Sequence, residues 1–260
     1  MSRIASVFAK DKAFIPYITA GDPDMAMTLS VLKILAKNGA DMIELGIPFT
    51  DPVADGPTIQ KASERALAHP FRMKSIFGLV KEFRSSGFET PIVLMSYANP
   101  VFVYGYEAFA KDAVASGIDA VLLTDIPPEE AGEYTAAAKK HGLGTVFLCS
   151  PTTSPERLKL VDAASTAYVY YVARAGVTGV RDDLPQDVQQ ALASLKKNLK
   201  NPLCVGFGIS TPQQAAVMAK YADGVIVGSA LVSLFARWRG AELLSHIAKL
   251  TQDLKGAIHA

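Results

Sequence analysis

What the 260 residues lack narrows the field first. Cysteine is nearly absent: Cys149 and Cys204 are the only two, both inside apolar strand-like runs. They are expected to be buried thiols, not a disulfide or a nucleophile. The four histidines, His69, His141, His246 and His259, are scattered along the chain, and nothing has the spacing of a metal site. Charge of one sign is missing too, since the formal net charge is +1 and no Lys/Arg run occurs. That removes the electrostatic footprint of a nucleic-acid partner. No apolar run approaches the roughly 18 residues of a membrane span. The opening stretch MSRIASVFAKDKAFIPYITAGD has neither a signal-peptide h-region nor a cleavage site. A soluble, cytoplasmic protein without nucleic acid, membrane or metal is the expectation. No linker or low-complexity stretch marks a boundary, so residues 1–260 are expected to form a single domain.

What is present is a large apolar reserve. Half of the residues are hydrophobic against 20% charged, enough for a sizeable core. Short apolar, β-branched runs recur at Phe14–Thr19, Asp41–Gly46, Pro91–Tyr97, Ala120–Asp125, Thr145–Ser150, Ala167–Ala173, Pro202–Gly208 and Gly224–Ala230. Several are near-continuous hydrophobic runs, as parallel strands covered on both faces are. Helix-like stretches lie between them, including MAMTLSVLKILAKNG, MKSIFGLVKEFRSSG and PEEAGEYTAAAKKHG, each ending in a glycine stop. Eight β/α units in some 250 residues indicate an α/β fold, a TIM (β/α)8 barrel. A doubly wound open sheet is the competitor. It usually carries a Gly-rich turn after its first strand, and here that strand is followed by AGDPD with no GxGxxG. Residues Met1–Ala13 are expected to add an N-terminal helix over the barrel bottom, and Pro57–His69 a second insertion.

In such a barrel the chemistry sits at the C-terminal ends of the strands. The segment ELGIPFTDPVADGP there holds Glu44, Asp51 and Asp55 among Pro48, Pro52 and Pro57. Alternation along DMIELG puts Ile43 and Leu45 on one face and Met42 and Glu44 on the other. A carboxylate pointing inward from a strand is disfavoured in ordinary packing, so Glu44 is the leading catalytic candidate, with a buried ion pair as the plain alternative. Asp22, in Gly-Asp-Pro, is expected to serve a turn, and Asp51, ahead of Pro52, a turn or a partner contact. Asp125 precedes Pro127 and Pro128, and either caps the following helix or serves the site.

A second cluster is rich in glycine. ARAGVTG (Ala173–Gly179), GFGIS (Gly206–Ser210) and GSAL (Gly228–Leu231) follow strands six, seven and eight. Glycine permits close backbone approach, and free N–H groups at a helix start bind anions. Loops after strands seven and eight are the recurrent phosphate site of this fold.

With ELGIPFTDPVADGPTIQ, YANPVF, RAGVTG, GFGIS and GSAL in this order, the whole chain closely resembles the tryptophan synthase α-subunit family. The resemblance implies cleavage of indole-3-glycerol phosphate to indole and glyceraldehyde 3-phosphate, with no metal or organic cofactor on this chain. It implies Glu44 as general acid/base and Asp55 as the acceptor of the indole N–H. By the same resemblance Thr178, Gly179, Gly208, Gly228 and Ser229 belong to substrate binding, the glycines and Ser229 around the phosphate. Tyr17, Met95, Tyr97, Leu122, Tyr170 and Phe207 would line the indole pocket. The implied partner is the pyridoxal-phosphate-dependent β subunit in an α2β2 assembly, contacted through Pro48, Asp51 and Asn99–Phe102. Ala173 and Ser63 depart from the commonest family residues, Ser or Thr and Asn respectively, which bears on loop contacts more than on the reaction. ARAGVTG is expected to act as a lid.

Two other readings compete. A phosphate-binding isomerase on the same scaffold would use the glycine loops, but would not need VADGP beside ELGIP. A catalytically weak α-type chain that only activates its partner would have no use for both Glu44 and Asp55.

Overall fold

The alternation of buried apolar residues decides the architecture. The structure, a computed structural model, describes residues 2–172, 186–206 and 208–260, with Asp187 described by its backbone alone. Among them eight strands occur: β1 (Ala13–Thr19), β2 (Ile43–Gly46), β3 (Ile92–Ser96), β4 (Ala120–Leu123), β5 (Gly144–Cys149), β6 (Tyr168–Val172), β7 (Leu203–Gly206) and β8 (Gly224–Val227). They close in sequence order into a barrel, each strand parallel to the next and β8 parallel to β1. The first helices are α1 (Arg3–Phe8), α2 (Met25–Lys37), α3 (Pro57–Leu67) and α4 (Met73–Ser85). Around β3 to β6 follow α5 (Ala98–Tyr104), α6 (Tyr106–Ser116), α7 (Gly132–His141) and α8 (Pro155–Ala164). The last are α9 (Gln186–Asn198), α10 (Pro212–Ala219), α11 (Ser229–Arg237) and α12 (Gly240–Ile258). The expected TIM barrel is the observed fold.

Two apolar layers follow from the period of two along each strand. Ile43, Leu45, Ile92, Leu94, Val121, Phe147, Val169 and Val205 face outward and share one core with the helices. Ile15, Met42, Val93, Leu122, Val146, Tyr168, Cys204 and Ile226 face inward and fill the barrel. From below, Ile4, Val7 and Phe8 of α1 pack against that inner cluster, with the Phe8 ring edge-on to Tyr168 at 6.2 Å. The added helix is therefore shorter than Met1–Ala13, because Ala13 already belongs to β1. The second insertion is α3, which starts at Pro57, where the missing N–H costs nothing. Among the three helical stretches picked out by pattern, Pro128–Gly142 starts late. Pro127 and Pro128 accept from Glu130 and Ala131 in separate turns, and the helix begins only at Gly132.

The bottom rim repeats one device. Asp41, Asp119 and Asp223, just ahead of β2, β4 and β8, accept the backbone N–H at the start of the preceding strand. The acceptors meet Phe14, Ile92 and Leu203 at 2.8, 2.8 and 2.9 Å. Ahead of β6 the Thr166 hydroxyl takes the same part toward the Thr145 N–H at 2.9 Å. Each aspartate also has a cation: Lys255 on Asp41, Arg84 and Arg3 on Asp119, Lys196 on Asp223. The strand pairs β1–β2, β3–β4, β5–β6 and β7–β8 are thus stapled alike.

Candidate active site

The mouth at the C-terminal strand ends is built differently. Glu44 on β2 stands opposite Tyr17 of β1 and Val93 of β3 in register, and its side chain is fully buried. Across the barrel the Tyr168 hydroxyl donates to Glu44 Oε1 at 2.5 Å. The other oxygen, Oε2, is buried and is the one such side-chain atom without a hydrogen-bond partner among the described residues. Among the described residues no ion pair reaches this carboxyl. Burial pushes it up to about 7, against the pull of the Tyr168 hydrogen bond. A carboxyl that ionises near neutrality can both give and take a proton.

Asp55 lies in the loop after β2, where its N–H bonds to the Pro52 carbonyl at 3.0 Å. Gln60 of α3 donates to the Asp55 carbonyl at 2.8 Å, which ties the loop to the helix behind it. Burial raises the Asp55 carboxyl to about 6, and a hydrogen bond with the Tyr97 hydroxyl pulls it down. That same hydroxyl accepts the Ala54 N–H at 3.0 Å, so Tyr97 holds the loop against the end of β3. Phe49 packs on the Tyr97 ring at 5.1 Å.

Around these two acids the inward faces supply aromatic and apolar walls. Tyr17, Met95 of β3 and Val232 of α11 form one small buried cluster with Ile59 and Ala62 of α3. Leu122 and Tyr170 belong to the barrel interior. The Tyr170 hydroxyl lies where a Cβ on Gly206 would be, within 2.1 Å of that position. Burial raises the Tyr170 phenol well above its ordinary value, with Glu44, Cys204, Tyr17 and Asp55 adding negative charge or polarity nearby. Both thiols are buried and free, and burial pushes Cys149 up to about 12.

The glycine-rich rim is only partly described. Thr178, Gly179, Phe207 and the Ala173 position, with Arg174 and the rest of the expected lid, lie outside the described residues. Gly208 follows β7 with φ of 74°, a backbone that suits glycine. Gly228, directly after β8, caps α11 and Ser229 is its first residue, and the helix start has no side-chain cap. Ser63 is buried in α3.

The remaining acids resolve into structure. Asp22 is buried and accepts two hydrogen bonds from Arg65, at 2.8 and 2.6 Å. Asp51 is exposed and takes the Thr50 hydroxyl at 2.6 Å. Asp125 does cap a helix, but not the following one: it accepts the Ala98 N–H at 2.7 Å, at the start of α5. The Pro127–Pro128 turn carries the chain away from Asp125 before α7 begins, while the neighbouring strand end brings α5 to it. Tyr168 was not singled out by motif. The signal for it is alternation, since YVYYV places Tyr168 and Tyr170 on one face.

Among the described residues no group of three or more His, Cys, Asp or Glu side chains is placed to hold a metal ion. No helix of the described residues is long and apolar enough to cross a membrane.

Comparison with known proteins gives one consistent result. Residues 5–258 match the family model described as tryptophan synthase alpha chain. The tryptophan synthase alpha chain of Geobacter sulfurreducens is 48% identical over 263 residues, covering 99% of each chain. A crystal structure of the alpha subunit from Legionella pneumophila superposes with a TM-score of 0.92 at 42% identity, covering 100% of this chain and 99% of that one. A structure of the a2b2 tryptophan synthase complex of Pyrococcus furiosus, described as showing mutual activation, gives 0.87 at 43% identity, covering 95% and 99%.

Proposed function

This chain belongs to the tryptophan synthase alpha chain family, and from that premise we propose how its mouth cleaves indole-3-glycerol phosphate to indole and glyceraldehyde 3-phosphate. The reaction is a retro-aldol lyase step in tryptophan biosynthesis. The carbon–carbon bond between indole C3 and the glycerol chain breaks only when C3 has become a leaving group. Glu44, protonated at the start, gives its proton to C3. Positive charge then develops at the ring nitrogen, and the Asp55 anion accepts the N–H and stabilises it. Glu44, now ionised, takes the proton of the glycerol hydroxyl next to the breaking bond. The carbonyl of the aldehyde forms, and the bonding electrons return to the indole ring. One proton has moved from oxygen to carbon, and Glu44 ends as it began.

The observation that carries this reading is the pair of carboxyls itself. Glu44 at about 7 and Asp55 at about 6 share a mouth in which, among the described residues, each is bonded by a phenol and neither has an ion pair. Burial holds back ionisation of both and is complete at Glu44, so Glu44 is the acid assigned the proton and Asp55 the one assigned the negative charge that the chemistry needs. Tyr17, Met95, Tyr97, Leu122 and Tyr170 form the apolar walls for indole. Gly228, Ser229 and Gly208 offer backbone N–H groups for the phosphate, with Gly179 assigned to the phosphate, Thr178 to substrate binding and Phe207 to the indole walls, all three outside the described residues.

A β subunit is the partner, and an α2β2 stoichiometry with pyridoxal phosphate confined to the β subunit completes the reading. The chain itself would work without a cofactor, as a single barrel domain in the cytoplasm. A docking face is in keeping with this: Val53, Phe102 and Val103, in the loop after β2 and in α5, are 84%, 64% and 76% exposed.

The test is indole release from indole-3-glycerol phosphate by the purified chain, with and without β subunit. Release that rises on adding the β subunit is expected. No indole in either condition would leave the chain a scaffold that only activates its partner.

A further inference from the structure

Tyr17 occupies an unusual place for a residue of β1. Strand side chains lean along the strand direction, and this phenol leans toward the mouth and across onto β2. It starts opposite Glu44 in the register, yet its hydroxyl reaches the level of Thr19, 3.3 Å from that Oγ1. Thr19 pairs with Gly46, two residues beyond Glu44 on the same inward face. A Cβ built on Gly46 would come within 2.1 Å of the Tyr17 hydroxyl oxygen, 2.6 Å of Cζ and 2.8 Å of Cε2. No real side chain tolerates such distances. On its other side the ring lies against Gly228, where an added Cβ would meet Tyr17 Cδ1 at 3.3 Å. The ring is only 6% exposed, so it has little room to retreat. Gly46 does not have a positive φ, so nothing in its backbone requires glycine. The missing Cβ has its explanation in the ring that takes its place.

We propose that Gly46 is a positioning residue of the active site: by leaving the volume of a Cβ empty on β2, it lets the Tyr17 phenol lie across that strand one inward step above Glu44. The ring there forms the wall between Glu44 below and the Asp55 loop above, and both carboxyls act on the phenol electrostatically. Any side chain at position 46 drives the ring into the space the indole needs. This rests on the reading of the mouth as the indole-3-glycerol phosphate site.

The experiment is a double-substitution cycle on the full chain with β subunit present, using Gly46→Ala, Tyr17→Leu and both together. Leucine lacks the Cε, Cζ and hydroxyl atoms that the alanine Cβ would strike. Gly46→Ala alone is expected to lower kcat/KM at least about tenfold, mostly through KM, because a displaced wall weakens substrate binding while Glu44 stays in place. Against a Tyr17→Leu background the same change is expected to cost less than about twofold, a departure from additivity that only contacting residues show. Equal losses in both backgrounds in an active enzyme would overturn the proposal, as would a loss confined to kcat. If Gly46→Ala alone fails to fold, the double variant decides. Turnover matching that of Tyr17→Leu supports the positioning role, and turnover well below it overturns it. Absence of indole release from the unaltered chain would instead fail the functional reading, a separate result.

Discussion

The two rims of the barrel treat the same residue type in opposite ways. At the bottom, Asp41, Asp119 and Asp223 each accept a backbone N–H and each face a cation. Arg84 alone makes hydrogen bonds to the carbonyls of Gly117, Phe88 and Thr90 as well as to Asp119. At the top, Glu44 and Asp55 have no ion pair among the described residues and are bonded by phenols, and burial raises both. An acid with its hydrogen bonds and counter-charge in place holds strand ends together and serves the fold. An acid deprived of its counter-charge stays titratable near neutrality, and can serve proton transfer. What separates structure from chemistry here is the partner, not the amino acid.

The largest expected effect removes the unpaired acid. Glu44→Gln should lower kcat by about 10²–10⁴ while the protein stays folded, measured as indole release. It should also raise Tm above that of the unaltered chain at pH 8. The folded-state value of Glu44, about 7, lies above its ordinary 4.5. Below 4.5 both states are protonated and burial carries no electrostatic penalty. Between 4.5 and 7 the unfolded chain ionises first, so stability falls as pH rises, and above 7 the full cost persists. The Tm gain should therefore shrink toward pH 4.5. Wild-type-like turnover would remove Glu44 from the mechanism.

The next effect breaks the bottom rim. Arg84→Ala leaves Asp119 and three carbonyls short of a donor and should cost roughly 3–5 kcal/mol in denaturant unfolding. The kcat/KM of the folded fraction should hold within about twofold. A loss of turnover at unchanged stability would erase the division between the rims.

Subtler changes separate the two mouth acids by pH. The hydrogen bonds of Tyr97 and Tyr168 lower the values of Asp55 and Glu44 respectively. Tyr97→Phe should move the acid limb of the kcat/KM profile to higher pH, and Tyr168→Phe should move the basic limb to higher pH. Limbs that stay in place in both variants would mean that these phenols do not tune the acids. The smallest effect concerns a structural acid near the mouth. Asp125→Ala removes the acceptor at the α5 start and should cost about 1 kcal/mol, seen as a small drop in Tm.

Much of this was legible in the chain. Eight apolar runs separated by helical stretches specified a parallel barrel, because strands buried on both faces cannot afford polar residues. Parity along DMIELG sent Glu44 inward, and ELGIPFTDPVADGP placed Asp55 beside it. The role of Tyr168 was not visible, since it is 124 residues from the Glu44 it bonds. For Asp125 the chain left a cap on the following helix and a role in the site both open; its partner is instead α5, which precedes it in the chain and meets it across the β3–β4 pairing. Nor did spacing reveal that Asp41, Asp119 and Asp223 do one job around the rim.

The sequence by itself determined which residues face inward, which face the helices, and which motif lies at which strand end, because these follow from periods of two and 3.6 along one continuous chain. Only the closed barrel decided which acids find a counter-charge and which do not, and that Tyr17 fills the place left by Gly46. Those outcomes depend on side chains brought together from different strands, and a pairing between strands exists only once the sheet has closed.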